Sequence, residues 1–132
     1  MKGYLLDTSI CVFLFRGNRE VTQRLNEIGR ERCFICDFVL AELRYGAYKS
    51  ERTEENLQMI EDFVKEVSVL PFSDSIDAFA REKLRLKNAG KPIEDFDLLI
   101  GCAAKAAGLT MVTHNVKHFS HIDGLDIEDW VE

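Results

Sequence analysis

Three carboxylates stand where carboxylates are costly. Asp7 ends the apolar run Tyr4-Leu5-Leu6, and an isolated buried charge is heavily penalised without a partner. Glu42 sits within Leu40-Ala41-Glu42-Leu43-Arg44-Tyr45-Gly46, with Phe38, Tyr45 and Gly46 at i−4, i+3 and i+4, so it shares an apolar helical stripe with a glycine. That glycine costs roughly 1 kcal/mol in a helix interior and is expected to mark a close packing contact. Asp97 opens the apolar stretch Leu98-Leu99-Ile100-Gly101-Cys102-Ala103-Ala104. Each acid has a simpler use: a helix cap for Asp7, an ion pair with Arg44 or Lys49 for Glu42, and a dipole contact of about 0.3 to 1 kcal/mol for Asp97. Together, three carboxylates on three segments suit a hard divalent cation such as magnesium, which takes oxygen ligands and leaves room for a phosphate. They suit zinc poorly. Such a set can run a metal-assisted hydrolysis of a phosphodiester.

The histidines raise a competing possibility. All three lie in His114-Asn115-Val116-Lys117-His118-Phe119-Ser120-His121, and their i, i+4, i+7 spacing would align them on one helical face. Gly124 follows so soon that only about a turn of helix is expected, which argues against a histidine zinc site. His121 is read as a surface residue, and His114 as a loop residue able to touch substrate. The four cysteines include Cys33-Phe34-Ile35-Cys36. A zinc knuckle would need a second ligand pair, and a redox pair a different local context. The apolar residues between them suggest a buried strand, whose positions i and i+3 face opposite ways, so free thiols are expected.

These residues need elements to hold them. The run Lys2 to Leu6 reads as a strand ending at Asp7-Thr8-Ser9, with Ile10, Phe13 and Leu14 then at helical spacing. An amphipathic stretch over 20–28 stops near Gly29, a strand follows at 33–36, and Asp37 is expected to cap a helix from Phe38 to Tyr48. Residues 52–66 read as a surface helix and 67–72 as a strand ending at Pro71. Ser73 or Asp74 is expected to cap a helix whose apolar face is Ile76, Phe79, Ala80 and Leu84, stopping at Gly90-Lys91-Pro92. Glu94 or Asp95 then caps a central buried helix, Asp97 to Ala107, ended by Gly108. Strands at 109–113 and, more weakly, 125–127 complete the chain. Strands separated by helices imply parallel pairing with right-handed crossovers, that is, a three-layer α/β domain with a central, mainly parallel β-sheet flanked by helices. In such sheets the site lies beyond the carboxyl ends of the strands, where Asp7 and His114 fall.

A length of 132 residues fits a single domain over 1–132. Seventeen basic residues against 23 acidic ones give a net charge of −6, which argues against a sequence-independent DNA coat. It leaves a nucleic-acid enzyme open, because bound cations reverse the local charge of an acidic site. No apolar run approaches the roughly 18 residues of a spanning helix. Asp7 also interrupts any secretory signal, so a cytoplasmic location is expected. The run Arg81-Glu82-Lys83-Leu84-Arg85-Leu86-Lys87 offers Arg81, Lys83, Arg85 and Lys87 as candidate RNA contacts.

With these pieces assembled, the chain resembles the PIN-domain family, and within it the VapC-type toxin ribonucleases of toxin-antitoxin pairs. The resemblance rests on Leu5-Leu6-Asp7-Thr8-Ser9, Ala41-Glu42-Leu43-Arg44-Tyr45-Gly46, Asp97-Leu98-Leu99-Ile100-Gly101-Cys102-Ala103, Val112-Thr113-His114-Asn115-Val116-Lys117-His118-Phe119 and Gly124-Leu125-Asp126-Ile127-Glu128-Asp129-Trp130, in the family's order. It implies a Mg2+-dependent endoribonuclease, with Mn2+ able to substitute, that cuts a structured cellular RNA of the transfer or ribosomal class. It also implies a homodimer and a small VapB-type antitoxin covering the site. Asp7, Glu42 and Asp97 then become both the catalytic and the metal-binding acids, supported by Thr8, Thr113 and Asn115. The family's fourth acid falls at His118. If an imidazole there ligates the ion, it should favour manganese over magnesium; if not, it can carry a proton or contact phosphate near neutral pH, or simply fill space beside three sufficient acids. A first ion is expected to be held mainly by Asp7 and Asp97, Glu42 partly through water, with a weakened second site. Two rivals remain. A receiver-like signalling domain would need a paired acid beside Asp7 and a lysine ending the late strand, and both are missing; a catalytically inert scaffold would act through partner binding alone.

Overall fold

The apolar triplet Tyr4-Leu5-Leu6 becomes the middle strand of the sheet, fully covered on both faces, as a parallel central strand must be. The computed structural model describes residues 2–131. Its strands are β1 (Tyr4–Leu6), β2 (Cys33–Cys36), β3 (Ser68–Leu70), β4 (Thr110–Val112) and β5 (Ile127–Glu128). They lie in the order β3-β2-β1-β4-β5, and all neighbouring pairs are parallel. The chain builds outward from β1 to β3, then returns to the other side of β1 for β4 and β5. Right-handed crossovers in opposite directions put their helices on opposite faces, which gives the expected three layers. The reversal falls between β1 and β4, where Leu6 is in register with Val112, so the residues that follow, Asp7 and Thr113, emerge side by side at the switch point.

The helices are α1 (Thr8–Phe15), α2 (Arg19–Ile28), α3 (Asp37–Lys49), α4 (Thr53–Val64), α5 (Ile76–Asn88), α6 (Asp95–Ala107) and the single turn α7 (Val116–Phe119). Asn18 caps α2 through its side chain, and Gly108, left-handed at φ 68°, ends α6. Along α6, Leu98 and Ile100 to Ala104 are buried, as its composition demands. Gly101 has a packing reason, because a Cβ there would lie 2.3 Å from Ile122 Cδ1. Among the described residues no helix is long and apolar enough to cross a membrane.

Several sequence expectations need correction. Asp37 does not cap α3; it lies inside the first turn, and its Oδ2 accepts the Phe72 amide at 3.2 Å, tying α3 to the 3-10 turn after β3. No side chain caps α5 either, since Ser73 and Asp74 lie within that 3-10 turn. The buried face of α5 is rotated from the expected one: Ile76 and Leu84 are 59% and 60% exposed, while Glu82 and Leu86 are buried. The last strand falls at 127–128 rather than 125–127.

Candidate active site

Asp7 leaves β1 directly into α1 and does two jobs. Its Oδ1 accepts the Thr8 amide at 2.7 Å, so it caps α1. Its Oδ2 accepts the hydroxyls of Ser9, at 3.1 Å, and Thr113, at 2.8 Å. The residue is 5% exposed, and burial is the main reason its carboxyl is pushed above the usual range; the three hydrogen bonds oppose that, and the Asp97 charge adds to it. Thr113 is fully buried and also accepts the Asn115 amide at 2.9 Å, so the end of β4 is clamped to the end of β1.

Glu42 reaches the same place from α3. Its Oε1 accepts the Thr8 hydroxyl, so a residue of α1 bridges the two acids. Its carboxyl too is raised, first by burial and then by the charges of Asp7, Asp97 and Glu94, against the Thr8 hydrogen bond. The ion pairs that would have explained Glu42 otherwise are not made, since Arg44 pairs with Glu61 instead. Gly46 does not mark a close contact, for nothing lies within 4 Å of a Cβ built there. It lines a cavity of about 290 Å³ walled by Val12, Phe15, Leu43, Met59 and Ile60, with Thr8, Glu42, Arg16, Ser50 and Asn56 as polar members.

Asp97 stands in the first turn of α6. Its Oδ2 lies 3.6 Å from His118 Nδ1, and that nitrogen is 2.9 Å from the side-chain Nδ2 of Asn115. His118 thus stands beside Asp97 on the single turn α7, its side chain more than half exposed. The three histidines do not share one site. His114 Nδ1 is 3.0 Å from Asp129 Oδ2, and its ring meets Phe13 edge-on. His121 is partly buried and its Nδ1 is fully enclosed, contrary to the surface position expected for it. All four cysteines are buried free thiols. Of the basic residues on α5, Arg81 pairs with Asp77, Lys83 with Asp95 and Arg85 with Glu82, while Lys87 is exposed.

The donor chemistry fits a hard cation. Asp7, Glu42 and Asp97 are oxygen donors whose charges raise the proton affinity of Asp7 and Glu42, and among the described residues no lysine or arginine pairs with any of them. The acids share one end of the sheet without closing around a single point: among the described residues no three metal-ligating side chains stand close enough together to hold an ion as they are placed. Sequence reasoning missed Ser9 as an Asp7 donor, Asp129 as the partner of His114, and Glu94, read only as a helix cap, as a further charge near Glu42. The spacing Asp7-x-Ser9 is the one local signal that could have found any of these.

Comparison with known proteins gives a consistent result. The model of the PIN domain family matches residues 4–125. The chain is 37% identical to the tRNA(fMet)-specific endonuclease VapC of Shigella flexneri, covering 98% of this chain and 99% of that one. It is 35% identical to Ribonuclease VapC2 of Haemophilus influenzae, covering 99% and 100%. The crystal structure of DNA-bound VapBC from Salmonella typhimurium superposes with a TM-score of 0.92 at 32% identity, over 98% of this chain and 99% of the matched one.

Proposed function

The chain belongs to the PIN-domain family, and from that premise we propose that it is the VapC-type toxin of a toxin-antitoxin pair, a metal-dependent endoribonuclease acting as one domain. The observation that carries this reading is Asp7: a buried carboxylate at the sheet's switch point, at the same end of the sheet as Glu42 and Asp97 and paired with no cationic side chain among the described residues. Asp7, Asp97 and Glu42 would hold a magnesium or manganese ion, which when bound polarises the phosphate and makes a water nucleophilic near neutral pH. The chain's own residues do the rest. Thr113 and Ser9 fix the orientation of Asp7, Thr8 fixes Glu42, and Asn115 sets the ring of His118. His118 favours manganese if its imidazole joins the ligands.

The substrate is a structured RNA of the transfer class, as the name of the Shigella flexneri relative suggests. Arg81, Lys83 and Lys87 on α5 are candidates for its backbone. The apolar cavity beside Glu42 suits a segment of a VapB-type antitoxin, which from there would cover the acids. Exposed Ile76, Leu84 and Phe96 support a homodimer.

The test is direct. Purified protein is incubated with a transfer-RNA pool and with ribosomal RNA, each with magnesium, manganese or chelator, and the cut ends are sequenced. Discrete metal-dependent cuts in transfer RNA that vanish in Asp97→Asn are expected. Cleavage that survives both chelation and Asp97→Asn, or no cleavage of any RNA, would overturn the reading.

A further inference from the structure

We propose that Glu82, a residue of α5 outside the group of Asp7, Glu42 and Asp97, is a positioning residue that sets the place of His118 through the segment 116–123; its catalytic consequence rests on the nuclease reading above. Glu82 is 6% exposed. Its Oε1 accepts Arg85 Nε at 3.0 Å, and its Oε2 accepts Arg85 Nη2 at 2.6 Å and the Asp123 amide at 2.9 Å. Lys105 Nζ of α6 stands 4.0 Å from Oε1. Arg85 Nη2 continues to the His121 carbonyl at 2.8 Å. One carboxylate thereby joins α5, α6 and both flanks of Ile122.

The held segment has a second anchor. Phe119 and Ile122 pack onto Gly101 of α6, where a Cβ would force the Ile122 side chain to move. The apolar anchor fixes how deep the segment sits, and the Glu82 and Arg85 hydrogen bonds fix its direction along α6, because hydrogen bonds are directional and apolar contacts are not. His118 lies one residue before the apolar anchor and is itself more than half exposed, so its approach to Asp97 depends on where its backbone is held. A leucine at position 82 would pack there without the desolvation penalty of a buried charge. What leucine cannot do is accept the Asp123 amide. Arg85, offered by the sequence as an RNA contact, is here committed to the molecule itself.

The three histidines, all within residues 114–121, make this measurable without substrate. Carbon-edited NMR of the imidazole rings is recorded on the metal-free protein, wild type against Glu82→Gln and Arg85→Gln. The His118 and His121 signals should shift or broaden, while His114, held by Asp129 and Phe13, keeps its position. Leu25→Ala, a core truncation on α2, is the control: it lowers Tm and should leave the His118 signal in place. With RNA and metal, kcat should fall on the order of ten-fold in Glu82→Gln at nearly constant KM. An unmoved His118 signal in the folded variant, or a moved one with unchanged kcat, overturns the proposal. If Glu82→Gln does not fold, Arg85→Gln, whose side chain is partly exposed, decides by the same readouts. A moved His118 signal in a protein whose wild type cuts no RNA leaves the positioning standing and removes the nuclease reading instead.

Discussion

At the scale of single residues, Asp7 and Glu42 of the candidate site oppose, when charged, the fold they belong to. Burial raises the Asp7 carboxyl above its ordinary value. A group whose proton affinity rises on folding stabilises the fold below its unfolded pKa, and that contribution is lost as pH climbs through the raised folded value. Metal-free protein should therefore lose stability from this group as pH rises from acid toward neutrality. In Asp7→Asn that loss is absent: calorimetry at pH 7 without metal should find the variant melting no lower than wild type, while added magnesium raises Tm only in the wild type. A variant that melts well below wild type yet keeps the magnesium effect would refute this. His118 supplies a second expectation. Restoring an acid with His118→Asp should raise cleavage in magnesium relative to manganese, since magnesium prefers oxygen; identical ratios for both proteins would remove this position from the metal chemistry. The thiols give a third. Burial raises Cys11 and Cys36 and pushes Cys33 and Cys102 up to about 11, so an aromatic disulfide reagent at pH 7 should label native protein slowly and denatured protein at all four positions. The acids are legible in the sequence because charge at the end of an apolar strand, or at the head of an apolar helix, demands a reason. Asp129 is not, because an ordinary polar residue there acquires meaning only from His114, fifteen residues away in the chain.

At the scale of elements, the helical period serves α6 and misleads on α5. Every candidate apolar position in Leu98 to Ala104 except Leu99 is buried, so the reading there needs no tertiary knowledge. On α5 the pattern assigns Ile76 and Leu84 to the inner face, whereas the helix turns Glu82 and Leu86 inward. The reason is Glu82, whose partners at Asp123 and, through Arg85, His121 lie about forty residues away; no local pattern shows a carboxylate that is buried because a distant amide needs it. Asp37 misleads in the same way, binding the distant Phe72 amide rather than its own helix end. Two glycines separate packing from propensity. Gly101→Ala forces a Cβ against Ile122 and Phe119 and should cost about 1 to 3 kcal/mol in chemical denaturation. Gly46→Ala meets open space and should stabilise α3 by roughly 0.5 to 1 kcal/mol. The reverse order would mean that α7 and the residues after it sit loosely on α6.

At the scale of the whole molecule, the fold leaves Tyr45, Tyr48, Met59, Ile76, Leu84, Phe96 and Val116 exposed, and α5 carries Ile76 and Leu84. If two copies meet there, Leu84→Glu should shift the mass measured by light scattering from dimer to monomer with the circular dichroism spectrum unchanged; a persistent dimer would place the contact elsewhere. The strand order has a consequence in time as well as in space. Asp7 follows β1, yet the strand that completes its surroundings, β4, spans residues 110–112, and β5 follows at 127–128. Pairings this distant close late in folding, after the loop entropy between them has been overcome. Chains also emerge from the ribosome in N-terminal order. A growing chain therefore carries Asp7 without its Thr113 partner until the strand end 106 positions further along has been added.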